Sequence, residues 1–191
     1  MERDTKPFAP GDRIPLNVPS YGPEEVLEAI DSMVSTYVTM GEKVRRFEGM
    51  WAEYIGRKHA VMTNSGSSAN LLALTALMQA GFLYTGAEVI TPALTWATTV
   101  FPIAQVGLVP VLADVRRETY NLDPEQVEAA ITPKTRAIML VHLLGNPCDM
   151  DAMVDIANRH NLTLIEDACE AHGAEWRGQK VGSFGDIATF S

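Results

Sequence analysis

At 191 residues, 47% of them hydrophobic and 20% charged, the chain is long enough to bury one sizeable core and has the composition of a globular domain. Its formal net charge of −9 at pH 7 leaves no general basic surface to neutralise a phosphate backbone, which excludes nucleic acid as an expected partner. Cys148 and Cys169 are too few for a disulfide framework or a four-cysteine zinc site, so a reducing compartment, the cytoplasm, and no metal are expected.

Residues 1–23 carry Pro and Gly with no sustained period and read as an arm lying over a surface. Charge and proline from the first residue leave no apolar core for a signal peptide. No run in the chain reaches the roughly 20 apolar residues that span a bilayer, so no membrane partner is expected. Residues 24–191 are expected to form one domain. Val26, Leu27, Ile30, Met33, Val34 and Tyr37 fall at helical steps after Pro23, and Val44, Phe47, Met50, Trp51 and Tyr54 form a second amphipathic run that Gly56 closes.

From there short apolar runs alternate with helical ones. Strands are predicted at 60–62, 89–90, 109–112, 137–141 and 162–165, with helices at 68–80, 96–106, 124–131 and 150–160. A hairpin is expected around Arg177-Gly178, and 186–190 begins a further strand. Such alternation, with strands that are apolar throughout, predicts an α/β fold: a mainly parallel sheet with helices on both faces.

Three places look chemical. The apolar run before Asp167 surfaces at a carboxylate, the way a parallel sheet presents fixed negative charge to a ligand at its C-terminal edge; the alternative is an acid capping the next turn. Upstream, Thr63-Asn64-Ser65-Gly66-Ser67-Ser68-Ala69-Asn70 opens a helix with clustered donors. Gly66 allows close backbone approach, and Ser67 and Ser68 suit a phosphate at the helix start; a cap with no ligand is the alternative. Trp96 follows Pro92-Ala93-Leu94-Thr95 at another strand's C-terminal edge, as a ligand platform or as plain core. Histidine is an acid–base candidate by residue type, but nothing in the sequence pairs His142 or His172 with a substrate, so both are read as structural. No G-x-G-x-x-G follows a strand, which disfavours a dinucleotide-binding domain.

The run NSGSSAN, the turn Thr95-Trp96-Ala97-Thr98, the acid in Ile165-Glu166-Asp167-Ala168, and Gly182-Ser183-Phe184-Gly185-Asp186 with Phe190-Ser191 together resemble the DegT/DnrJ/StrS group of pyridoxal-phosphate enzymes. The resemblance covers nearly the whole chain. It implies an aspartate-aminotransferase-like large domain whose C-terminal part is absent from these 191 residues, which alone are expected to be inactive. It implies pyridoxal 5'-phosphate as cofactor, with Gly66, Ser67, Ser68 and Ser191 at the phosphate, Asp167 at the ring nitrogen and Trp96 on the ring face. Glu170 stands where the group commonly carries glutamine near the ring oxygen, a departure.

Lys6, Lys43, Lys58, Lys134 and Lys180 do not match the Schiff-base lysine, which the group places about five residues after the position of Ser191. One branch has histidine there and removes a sugar 3-hydroxyl instead of transferring an amine. The run 64–74, residues 144–147 and the acid at Glu170 resemble that branch, whereas Ala171-His172-Gly173-Ala174 and Trp96 resemble the aminotransferases. The leading expectation is therefore an aminotransferase for a nucleotide-linked keto-sugar, using an amino donor and working as a homodimer. The rivals are the 3-dehydratase and a non-catalytic binding or regulatory module.

Overall fold

The computed structural model describes residues 9, 11, 13 and 20–191. The N-terminal arm expected over 1–23 falls mostly outside the described residues. The chain divides into two compact units, one ending at Lys43 and the other spanning Val44–Ser191.

In the first unit α1 (Pro23–Val34) begins with proline at its first turn, where the missing N–H costs nothing. Val26, Leu27, Ile30, Met33 and Val34 on this helix are all exposed. Lys43 reaches Glu28 and Asp31 at 2.7 and 2.8 Å, exposed pairs that add little stability. Helix α2 (Glu42–Ile55) buries Ala52 and Ile55.

The second unit holds α3 (Gly66–Gln79), β1 (Glu88–Pro92), α4 (Ala97–Gln105), β2 (Val109–Ala113), α5 (Pro124–Ala130), β3 (Thr135–Val141), α6 (Met150–His160) and β4 (Thr163–Asp167). It ends with β5 (Glu175–Trp176), β6 (Gln179–Lys180) and β7 (Ile187–Thr189). Five strands form one sheet in the order β2-β1-β3-β4-β7, every pair parallel. Successive side chains of a strand face opposite ways. Val89, Ala137, Met139 and Ile165 therefore pack with Leu74 and Leu77 of α3 and Ile103 of α4. Ile90, Ile138, Leu140 and Leu164 pack on the other side with Val127 of α5 and Met150, Met153 and Ile156 of α6. Burying each such side chain fully is worth about 1.5–3 kcal/mol. Both faces of β1, β3 and β4 are covered, which is why the middles of these strands read as apolar runs.

The chain passes from β1 to β2 on one side and then crosses to β3 on the other side of β1, so the winding reverses between β1 and β3; ligands of open α/β sheets sit outside the strand ends at such a reversal. Register lines up Val141, Asp167 and Thr189 at the C-terminal ends of β3, β4 and β7. The expected hairpin forms as β5–β6, turning through Arg177 and Gly178 at φ 52° and 83°, the left-handed pair of a tight two-residue turn.

One predicted strand is absent. Residues 60–62 pair with no strand, and Val61 and Met62 are exposed. The Met62 amide donates instead to Glu48 Oε1 at 2.8 Å. A groove of about 1210 Å³, lined by Val61, Met62, Ile187 and Ala188 among others, lies between this segment and β7. An apolar run becomes a strand only where a neighbour takes up its backbone N–H and C=O groups.

Candidate functional site

Asp167, the last residue of β4, is buried, and three donors fix its carboxylate. Oδ2 accepts from Asn70 Nδ2 at 2.9 Å and from Thr99 Oγ1 at 2.8 Å. Oδ1 accepts from the Cys169 amide at 3.2 Å. Asn70 is itself held, donating to the Thr98 carbonyl at 3.1 Å and accepting from Thr189 Oγ1 at 2.6 Å. Thr99 shares a 2.9 Å hydroxyl contact with Thr95. A negative charge is thus preset at the sheet edge by α3, α4 and the end of β7. Asp167 is legible in the sequence, Asn70 only as one of the donors clustered at the helix start, and Thr99 not at all.

Beside it lies the start of α3. Ser65 is the cap: its Oγ accepts the Ser68 amide at 3.2 Å and donates to Ser68 Oγ at 3.2 Å. Ser67 is exposed and Ser68 partly buried. Gly66 is where the chain closes in, since a Cβ there would sit 2.7 Å from Ser191 Cβ, 2.8 Å from Cys169 Sγ and 2.9 Å from Ser191 Oγ. The structure therefore brings Ser191 against the helix start that Gly66, Ser67 and Ser68 open. The first amides of a helix lack intrahelical partners and carry its positive end, which favours an anion. The cap given as the alternative is present, and it takes up the Ser68 amide.

Trp96, the N-cap residue of α4, is 68% exposed. Its Nε1 donates to Glu170 Oε1 at 3.0 Å, and Glu170 Oε2 accepts the Leu144 amide at 2.6 Å.

The neighbouring acid serves another purpose. Glu166 is one strand position before Asp167 and so faces the opposite side of the sheet. Its Oε1 accepts from the amides of Phe184 and Gly185 at 2.8 and 2.6 Å, and its Oε2 from the Gly182 amide at 2.7 Å. His142 completes the set. Its Nδ1 accepts the Cys148 amide at 3.1 Å, so the ring proton sits on Nε2, 3.1 Å from Glu166 Oε2. Burial pushes the Glu166 carboxyl up, but the bonds from His142, Gly185 and Gly182 outweigh it and hold the group below its ordinary value of 4.5. Its contribution to stability is then complete above about pH 4.5 and is lost as pH falls through the lower folded value. Thermal melts recorded from neutral pH downward should show stability falling below that point, with a shallower acid slope in Glu166→Gln. An unchanged slope would remove Glu166 as the cause.

His172 packs at a tilt among aromatic rings, its centroid 5.3 Å from Trp51 and 5.4 Å from Phe190, and burial pushes its pKa down. Among the described residues, no group of three or more His, Cys, Asp or Glu side chains could hold a metal ion, and no helix is long and apolar enough to cross a membrane.

Residues 19–191 match the model of the DegT/DnrJ/EryC1/StrS aminotransferase family. The GDP-perosamine synthase of Caulobacter vibrioides is 44% identical over 180 residues, covering 94% of this chain and 47% of that protein. The GDP-4-keto-6-deoxy-D-mannose 3-dehydratase of Yersinia pseudotuberculosis is 42% identical over 185 residues, with coverage of 94% and 47%. Among solved structures, the E. coli GDP-4-keto-6-deoxy-D-mannose-3-dehydratase with bound hydrated PLP aligns with a TM-score of 0.90 at 38% identity, over 94% of this chain and 46% of that one. The chain spans about half the length of the relatives it matches. Its fold is the pyridoxal-phosphate aminotransferase type expected from the sequence.

Proposed function

The chain belongs to the DegT/DnrJ/EryC1/StrS aminotransferase family, and from that premise we propose that its gene product is a pyridoxal-phosphate enzyme that aminates a nucleotide-linked keto-sugar. The observation that carries the reading is the pairing, at one sheet edge, of a buried carboxylate fixed by Asn70 and Thr99 with an anion-favouring helix start closed by Ser191. A cofactor with a phosphate at one end and a protonated ring nitrogen at the other fits both. Gly66, Ser67, Ser68 and Ser191 hold the phosphate, Asp167 the ring nitrogen and Trp96 the ring face, while Glu170 holds Trp96 through its Nε1.

Pyridoxal phosphate, when bound, supplies an electron sink for the substrate carbon that loses a proton. Asp167 keeps a proton at the ring nitrogen by a charge-assisted bond, and that bond is strong because the carboxylate is buried. Asn70 and Thr99 keep the carboxylate from turning away. Trp96 covers one face and excludes water from it. The reading makes the protein a cytoplasmic homodimer whose small-molecule partners are a nucleotide sugar and an amino donor.

A second reading, removal of a sugar 3-hydroxyl with the same cofactor, is favoured by the acid at Glu170 and by the likeness to the Yersinia 3-dehydratase. Titrating the complete gene product with pyridoxal phosphate tests the common part: a visible absorbance band is expected, and a flat spectrum at saturation points to the non-catalytic module. Borohydride reduction followed by peptide mapping separates the two chemistries. Cofactor fixed to a lysine supports amine transfer, and its absence together with a 3-deoxy product supports the dehydratase.

Trp96→Ala should weaken cofactor binding by about 1.4 kcal/mol, tenfold in Kd, the scale of an aromatic stacking contribution. Because the indole is 68% exposed, the melting temperature without cofactor should hardly move. A large drop in the apo melt would make Trp96 a packing residue instead.

A further inference from the structure

We infer that Glu170 is a positioning residue whose carboxylate latches the Trp96 indole to the turn after β3, setting the ring before the cofactor arrives. The ring-setting role rests on the cofactor reading above. Two N–H groups from separate strand ends meet on this one side chain: Trp96 Nε1 from the end of β1 at 3.0 Å and the Leu144 amide from the end of β3 at 2.6 Å. Glu170 itself follows β4, so three strand ends are tied at one carboxylate.

The chemistry selects an acid. Both partners can only donate, and each bonds to its own oxygen of Glu170, so this geometry uses two acceptor oxygens. A carboxylate has two; a carboxamide has one, and its amino group would face an N–H. Glutamine at 170 would therefore surrender one of the two bonds.

The Leu144 end of the latch is anchored. Leu144 holds φ 54° and ψ 26°, left-handed values uncommon for a side chain of its kind. Gly145 follows at φ 81°, so close that a Cβ there would lie 3.2 Å from the Glu170 carbonyl. On its far side the turn is pinned by Asn121, which accepts the Leu143 amide at 3.1 Å and donates to the Asn146 and Pro147 carbonyls at 2.9 Å each. The Trp96 end is an exposed indole. Holding such a side chain in its bound rotamer beforehand lowers the ordering cost of binding.

The test is a double-mutant cycle in the complete gene product, reading pyridoxal-phosphate affinity by absorbance and the Trp96 near-UV circular dichroism of the cofactor-free protein. Glu170→Gln should weaken binding about threefold when Trp96 is present and by less than about 1.5-fold when Trp96 is already alanine. The Trp96 band, taken as wild type minus Trp96→Ala, should shrink in cofactor-free Glu170→Gln. An equal loss of affinity in both backgrounds overturns the inference, because Glu170 would then act on the cofactor without the indole. An unchanged apo band also overturns it. Failure of the underlying cofactor reading looks different: the wild type itself gives a flat titration, which removes the ring-setting role whatever the apo band does.

Discussion

Asp167→Asn should lower kcat of the complete gene product by about 100- to 1000-fold, the scale of removing one preset electrostatic partner from an active site, while the protein still folds. The amide oxygen can take the place of Oδ2 and keep the bonds from Asn70 and Thr99. The amino group then replaces Oδ1 opposite the Cys169 amide, forfeiting a 3.2 Å bond worth about 1 kcal/mol. That loss is small beside the functional one, since a neutral amide cannot hold the proton at the cofactor's ring nitrogen. Steady-state kinetics beside a thermal melt separates the two effects. Wild-type turnover in a folded mutant would make the carboxylate structural.

Glu166→Ala should be the most destabilising of these changes, at about 3–5 kcal/mol, the range for removing one partner of a buried hydrogen-bonded pair. Four donors lose their acceptor together: the amides of Gly182, Phe184 and Gly185, and His142 Nε2. For a chain of this size the melting temperature should fall by roughly 10 °C. Exposed Glu170, replaced by alanine, is the control and should move it far less. A fall no larger than the control's would mean that the 182–185 loop is held by its packing instead.

Much of this architecture is local enough to read from the chain. Helix α6 keeps its predicted bounds because Asp149 caps one end, its side chain accepting the Ala152 amide, while Asn161 turns left-handed at the other. The paired strands read well because each is short, apolar and bounded by turns. Residues 60–62 show the limit: local preference for extension is visible in sequence, but the presence of a ladder partner is not. The site shows the same limit. Asp167 announced itself as an acid ending an apolar run, and Gly66 as small-residue punctuation. Asn70, 97 positions away from Asp167 in sequence, has its role assigned only by the packing of α3 against α4 and β7. His142 was read as structural, yet its pairing with Glu166 follows from parallel register and not from spacing.

The two adjacent acids at the end of β4 work on opposite faces of the sheet, and this makes strand register a checkpoint. A one-residue slip reverses every side chain of a strand, which would turn Glu166 toward Asn70 and Thr99 and Asp167 toward the 182–185 loop. A slip moves both acids the same way along the strand, so at most one can reach the other's place and neither keeps its own partners. A misthreaded chain would thus lose its clamp and its reactive centre in the same event. No stable but inactive species would build up from that error, and cellular proteolysis could clear it on instability alone.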